Sequence, residues 1–277
     1  MRPTRTVAAL AALGLLALTA CAPEESGTAT PEGGLATLTD GVLTIGTSDP
    51  AYEPWMVDND PANGEGFESA VAYAVAEELG FAPEDVTWVR VTFDQIIAPG
   101  AKPFDVAVNQ VSISEERRKN LDFSSSYYDT AQAVVTVAGS AAASATSLAE
   151  LAEVRIGAMV GTTSAVVAEQ AIAPTTDVQI FNDNDQLKQA LTANLVDAIV
   201  VDLPTAWYIT AVELEDGLIV GQLPAGDNPD QFGLVLDLGS PLTAAVTAAV
   251  DALRADGTLA RIETEWLTDS AGAPVLE

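Results

Sequence analysis

Apolar residues fall along this chain in two alternating patterns, short runs of strand length and stretches with helical spacing, from Val42 onward. Val42 to Thr47, Val86 to Val91 and Phe104 to Val108 read as strands. Between the first two, Phe67, Val71, Val75 and Leu79 recur at helical spacing before Gly80, a C-terminal stop. A second series repeats the alternation: Arg155 to Val160 is strand-like, a helix follows Gly161-Thr162-Thr163 to about Ala173, and Val178 to Phe181 and Ala198 to Val201 are again extended. Such alternation predicts an α/β fold with mainly parallel sheets. Ala131 to Val137 and Phe232 to Leu236 flank the second series and read as two crossings between lobes. The chain from Pro241 to Trp266 reads as helical and returns to the first lobe. Ile97-Ala98-Pro99-Gly100-Ala101-Lys102-Pro103 must kink or break any helix that precedes the third strand.

The N-terminal stretch changes the picture of where the protein works. MRPTRTVAALAALGLLALTAC has two arginines, an apolar run too short to span a membrane comfortably, and Leu18-Thr19-Ala20-Cys21 at its end. It resembles a bacterial lipoprotein signal, which implies cleavage before Cys21 and lipidation of its sulfur. Cys21 is the only cysteine, so no disulfide forms within the chain. Ala22 to about Leu38 mixes Pro, Gly, Ser, Thr and Glu without apolar period and reads as a flexible tether. Its typical reach is roughly 20–25 Å.

Charge narrows the partners. Without Arg2 and Arg5 the mature chain keeps nine basic residues against 40 acidic ones, a formal −31. So acidic a surface argues against nucleic acid and repels anionic lipid. With no histidine and no cysteine cluster, transition-metal sites and histidine-based nucleophiles have no residues to build on, and no cofactor is implied.

Ligands in open α/β sheets bind outside the carboxyl ends of the strands. Here those ends carry Asp49 with Tyr52, Asn109 with Gln110 and Ser112, Gly161 with Thr162 and Thr163, and Asp202. Ser114-Glu115-Glu116 has the cap and acidic first turn of a helix, with Arg117 in that turn. Arg117 is then either a solvated partner of neighbouring acids or a fork for a carboxylate. Thr162 and Thr163 either cap a helix or offer hydroxyls and N–H groups to an anion. Asp202 either caps the helix near Pro204 or accepts an ammonium. Tyr52, Trp55 and Phe93 either pack internally or wall a side-chain pocket, and Arg90 is either solvated or within reach of an acidic ligand. Arginine, helix start and aspartate together describe the groups of an α-amino acid.

GFESAVAYAVAEELG at Gly66 to Gly80, FDVAVNQVSISEERRKNLDFSSSYY at Phe104 to Tyr128, the Gly161-Thr162-Thr163 turn, VDAIVVD at Val196 to Asp202, and FGLVL followed by DALRADGTLARIETEW resemble, in that order, one family. It is the extracytoplasmic solute-binding proteins, family 3, of polar amino acid ABC importers. The resemblance implies two Rossmann-like lobes joined by two hinge strands that close over one amino acid. It places carboxylate binding on Arg117, Ser112 and Thr163, ammonium binding on Asp202, the loop that meets the ligand side chain on Asp49 and Tyr52, and pocket-lining positions on Asn109 and Gln110. Position in the chain adds Thr162 to the carboxylate group, Asn109 to the ammonium site, and Trp55 and Phe93 to the side-chain pocket. Gln110 stands where a small residue is common in the family. The expected organisation is a signal over 1–20, lipidated Cys21 with a tether over 21–39, a first lobe over 40–131 and 231–277, and a second over 132–230. The resemblance further implies a monomer, lipid-anchored to the outer face of the cell membrane, that serves permease subunits. Two rivals share the fold: a cyclohexadienyl (prephenate or arogenate) dehydratase, which needs a positioned general acid beyond Asp49 and Asp202, and a ligand sensor domain.

Overall fold

The computed structural model describes residues 34–225, 230–267 and 273–277. The signal, Cys21 and most of the expected tether lie outside them. Ten strands form two five-stranded sheets among the described residues. In the first, β1 (Leu43–Ser48), β2 (Val86–Val91), β3 (Val106–Ala107), β4 (Leu121–Thr130) and β10 (Asp230–Asp237) lie in the order β2-β1-β3-β10-β4. In the second, β5 (Gln132–Val137), β6 (Ile156–Met159), β7 (Gln179–Phe181), β8 (Ala198–Asp202) and β9 (Gly217–Gln222) lie in the order β7-β6-β8-β5-β9. In the first sheet β1 pairs in parallel with β2 and β3, and β10 alone is reversed, running against β3 and β4; in the second β6 pairs in parallel with β7 and β8, and β5 alone is reversed, running against β8 and β9.

The crossings are shorter than the runs that announced them. β4 ends at Thr130 and β5 begins at Gln132 in the other sheet, so Ala131 alone separates them. The return lies between Gln222 and Asp230. Ala131 to Val137 and Phe232 to Leu236 are thus mostly ladder strands whose outer ends meet at the hinge.

Local pattern and tertiary pairing agree for most elements. Phe67, Val71 and Val75 form the buried stripe of α1 (Phe67–Glu78), which packs with α7 (Thr243–Ala255) and α8 (Thr258–Trp266) on the first sheet. Both faces of each sheet are covered by separate apolar clusters. The third strand is regular only at Val106–Ala107, yet the N–H groups of Asp105 and Val108 also donate to β1, at 2.8 and 2.9 Å. Gly46 on β1 is obligatory there, because a Cβ would lie 2.5 Å from the Phe104 ring. The helix expected after Ser114 is only a 3-10 turn over Arg117–Lys119. The Ser114 hydroxyl still accepts the Arg117 N–H, at 3.2 Å.

Two boundaries differ from expectation. Residues 34–39, given to the tether by composition, lie on the first lobe: Leu35 packs against its core and Asp105 accepts the Leu38 N–H at 2.7 Å. Residues 273–277, expected on the first lobe, pair with the second. Gln222 donates its N–H to Pro274 at 2.7 Å, Leu276 returns a bond to Gln222 at 2.9 Å, and the Leu276 side chain is buried in the second core.

Candidate functional site

The carboxyl ends of the parallel strands of both sheets face one cavity of about 210 Å³. From the first lobe come Asp49 and Tyr52 after β1, Phe93 after β2, and Asn109, Gln110, Ser112 and Arg117 after β3. From the second come Thr162 and Thr163 after β6, Asn182 to Asn184 after β7, and Asp202 at the end of β8. Strand order sets the polarity of the cleft. β8 lies beside the hinge strand β5, so Asp202 at its end lies toward the hinge. β2 and β7 are sheet edges, so Phe93 and Asp183 lie toward the outer end.

Arg117 bridges the lobes. Its Nη1 donates to the Ser112 carbonyl at 2.6 Å and its Nη2 to the Gly161 carbonyl at 3.0 Å, with the guanidinium over the Phe93 ring. Burial lowers its pKa, while Asp230 and Asp202 act in the opposite sense. Gly161 has φ +71°, and a Cβ there would lie 3.1 Å from Ile97 and 3.2 Å from Asp94, so only glycine allows this approach of the lobes without strain. Thr163 donates its hydroxyl to Asp230 at 2.8 Å and lies 3.0 Å from the Ser112 hydroxyl.

Asp202 does not cap the helix that follows, α6 (Leu203–Tyr208). Its carboxyl instead accepts from Gln132 Nε2 at 2.7 Å, and the same nitrogen donates to Asp230 at 2.8 Å. Burial pushes the Asp202 carboxyl up to about 8; Asp230 adds to the effect and the Gln132 bond opposes it. The Oε1 of Gln132 accepts from Ser164 at 2.6 Å, so this amide is fully engaged between β5, β8, β10 and the start of α4 (Thr163–Val167).

Several expected site residues have other duties. Trp55 is fully buried in an aromatic cluster with Phe67, Tyr128 and Phe232, and its Nε1 donates across the lobes to Thr205 at 2.9 Å. It does not line the cavity, which corrects its assignment to the side-chain pocket. The cause is the turn at Tyr52–Met56, where Trp55 and Met56 donate to the Tyr52 carbonyl and the indole is carried inward. The Thr162 hydroxyl caps α4, accepting from Ala165 at 3.2 Å and donating to Met159 at 2.7 Å, so it is not available to an anion. Asn109 accepts from Ser48 at 2.9 Å. Asp49 pairs with Arg90 at 3.2 Å, so Arg90 is not simply solvated.

Glu68, Asp230 and Gln132 were not singled out from sequence. Glu68 is fully buried beneath the cavity floor, accepting from the Gln110 backbone N–H at 2.6 Å, from the Gln110 side-chain amide and from the Tyr127 hydroxyl. Gln110 has φ +44°, and Glu68 ties both of its nitrogens. Burial pushes the Glu68 carboxyl up to about 7, with these three donors opposing it. The readable signal was spacing: Glu68 lies three positions before Val71 and seven before Val75, on the buried stripe of α1. Asp230 and Gln132 carry no comparable local signal.

A model of the bacterial extracellular solute-binding proteins, family 3, matches residues 43–269. An L-arginine-binding protein of Pseudomonas aeruginosa is 27% identical over 233 residues, covering 79% of this chain and 85% of that protein. The solved structure of an ancestral arginine-binding protein bound to arginine superposes with a TM-score of 0.70 at 29% identity, covering 82% of this chain and 99% of its own. An ancestral amino acid-binding protein described as a precursor of cyclohexadienyl dehydratase superposes with a TM-score of 0.67 at 27% identity, covering 82% and 96%.

Proposed function

The chain belongs to the bacterial extracellular solute-binding proteins, family 3, and from that premise we propose that it captures a free amino acid outside the cytoplasm and presents it to an ABC importer. The observation that carries this reading is the convergence of Arg117, Ser112, Thr163 and Asp202, from two lobes, on one cavity. A guanidinium flanked by hydroxyls suits a carboxylate, and a buried carboxyl suits an ammonium. An α-amino acid presents those two groups a single carbon apart.

Closure follows from the same contacts. Arg117 belongs to the first lobe and Thr163 and Asp202 to the second, so a bound zwitterion adds contacts that exist only when the lobes meet. Its differential affinity shifts the population toward the closed form. The closed lobes would then dock on the permease, and Cys21 would carry the lipid anchor. Binding alone accounts for the groups in the cleft, with no bond made or broken.

A thermal-shift screen of the common L-amino acids tests the reading, because a ligand at 100 times its Kd stabilises the native state by about 2.7 kcal/mol. One or a few amino acids should raise the Tm by several degrees. Arg117→Ala should abolish the shift, read against the variant's own unliganded Tm because the substitution also removes the bonds to Ser112 and Gly161. Retained affinity in that variant, measured by calorimetric titration, would remove Arg117 from the site.

A further inference from the structure

The outer end of the cavity holds its acidic groups in a particular state. Of the carboxylates lining the cavity among the described residues, Asp49 and Asp183 lie away from the hinge and Asp202 toward it. Asp183 accepts from the Gln186 backbone N–H at 2.8 Å and from the Gln186 amide at 2.7 Å, as the cap of α5 (Asn184–Thr192). Asp49 receives Arg90 Nη2 and Asn59 Nδ2, both at 3.2 Å. Asn59 fixes the arrangement, since its Oδ1 accepts from Arg90 and from the Ala51 N–H. Each carboxylate that could meet a cationic side chain at this end is already paired or capping.

The aromatic walls carry a second sign of the same bias. Lys188 Nζ lies 5.5 Å from the Tyr52 ring centre, and the Arg117 guanidinium lies 5.6 Å from that of Phe93. A cation held over a ring polarises its π-system and lowers what the ring can offer another cation. Asn182 and Asn184 add amides to the same end. The surroundings therefore suit donors and acceptors without net charge.

We propose that the cleft selects an amino acid with a polar, uncharged side chain, and that Arg90 sets this selection by occupying Asp49. The proposal rests on the amino acid-binding reading and departs from the arginine for which two of the relatives are named. Arg90 is a specificity determinant because it neutralises the carboxylate a guanidinium or ammonium would use, and it adds a like charge beside it.

Calorimetric titration of the purified protein with L-glutamine, L-arginine and L-glutamate tests this. The wild-type protein should bind glutamine at least about tenfold more tightly than arginine. Arg90→Gln should release Asp49 and raise arginine affinity by about tenfold, with little change for glutamine. Asp49→Asn provides a second arm: it leaves Arg90 uncompensated and should raise the affinity for L-glutamate relative to that for glutamine. Arginine binding that is tightest in the wild type, or lost in Asp49→Asn, would overturn the proposal while leaving the amino acid reading intact. Failure of the wild type to bind any L-amino acid would overturn both.

Discussion

Asp202 is where burial has the largest consequence for a single group. A carboxyl pushed up to about 8 is mostly protonated at neutral pH, whereas an ammonium partner favours the ionised form. Amino acid binding should therefore release a proton when the pH lies below about 8, and affinity should rise with pH up to that point. Titrations at pH 6.5 in buffers of different ionisation enthalpy would show heats that track the buffer, and at pH 9 they would not. Asp202→Asn should abolish the proton release and the discrimination between the amino acid and its deaminated analogue. In the free protein the same shift works against stability. The unfolded carboxyl ionises near its ordinary 3.8 while the folded one keeps its proton to about 8, so this contribution declines as pH rises through that window. The positions of Asp202 at a strand end and of Arg117 in the turn that Ser114 opens after the third strand were legible in sequence. Trp55 was misplaced because an aromatic near a strand end has the same local signature whether its ring turns outward or inward.

At the scale of elements, α2 (Phe93–Ile97) shows how a short helix is held at the mouth of the cleft. Thr92 accepts from Gln95 at 3.2 Å, and Gln95 Oε1 returns an acceptor to the Thr92 N–H at 2.8 Å, forming a capping box. At the other end Lys102 Nζ donates to the carbonyls of Gln95 at 3.1 Å, Ile96 at 2.8 Å and Ala98. The break foreseen over 97–103 is thus an ordered cap, with the ammonium taking carbonyls that the helix leaves unpaired. Lys102→Met keeps most of the stem and removes the donor, so it should lower stability by about 1–3 kcal/mol in urea unfolding. Because Phe93 starts this helix, the variant should also weaken ligand affinity. Strand β4 was the least legible element: its serines at 124–126 interrupt the apolar alternation, and two register shifts against β10 accommodate them. Ser124 compensates by accepting the Leu234 N–H at 3.0 Å.

For the whole molecule, the chain terminus belongs to the opposite lobe from the helices that precede it. Gly221 makes room for it, since a Cβ there would lie 2.7 Å from Leu276 and from the Pro274 carbonyl. Leu276→Ala should cost about 2–5 kcal/mol as a large-to-small change in the second core, seen as a lower Tm. A Tm unchanged by that substitution would mean the terminal segment contributes nothing to the second lobe. The α/β class, the two alternating series and the strand ends that bear the cleft residues were determined by the sequence itself, because strand and helix periods are local and read over a few positions. What the tertiary structure decided is which side chains satisfy one another. Gln132 meets Asp230 98 positions away, Asp49 meets Arg90 41 positions away, and Glu68 meets Gln110 42 positions away. No local period encodes such pairs; they exist because two sheets bring distant strand ends within hydrogen-bond reach, where burial leaves each polar group in need of a partner.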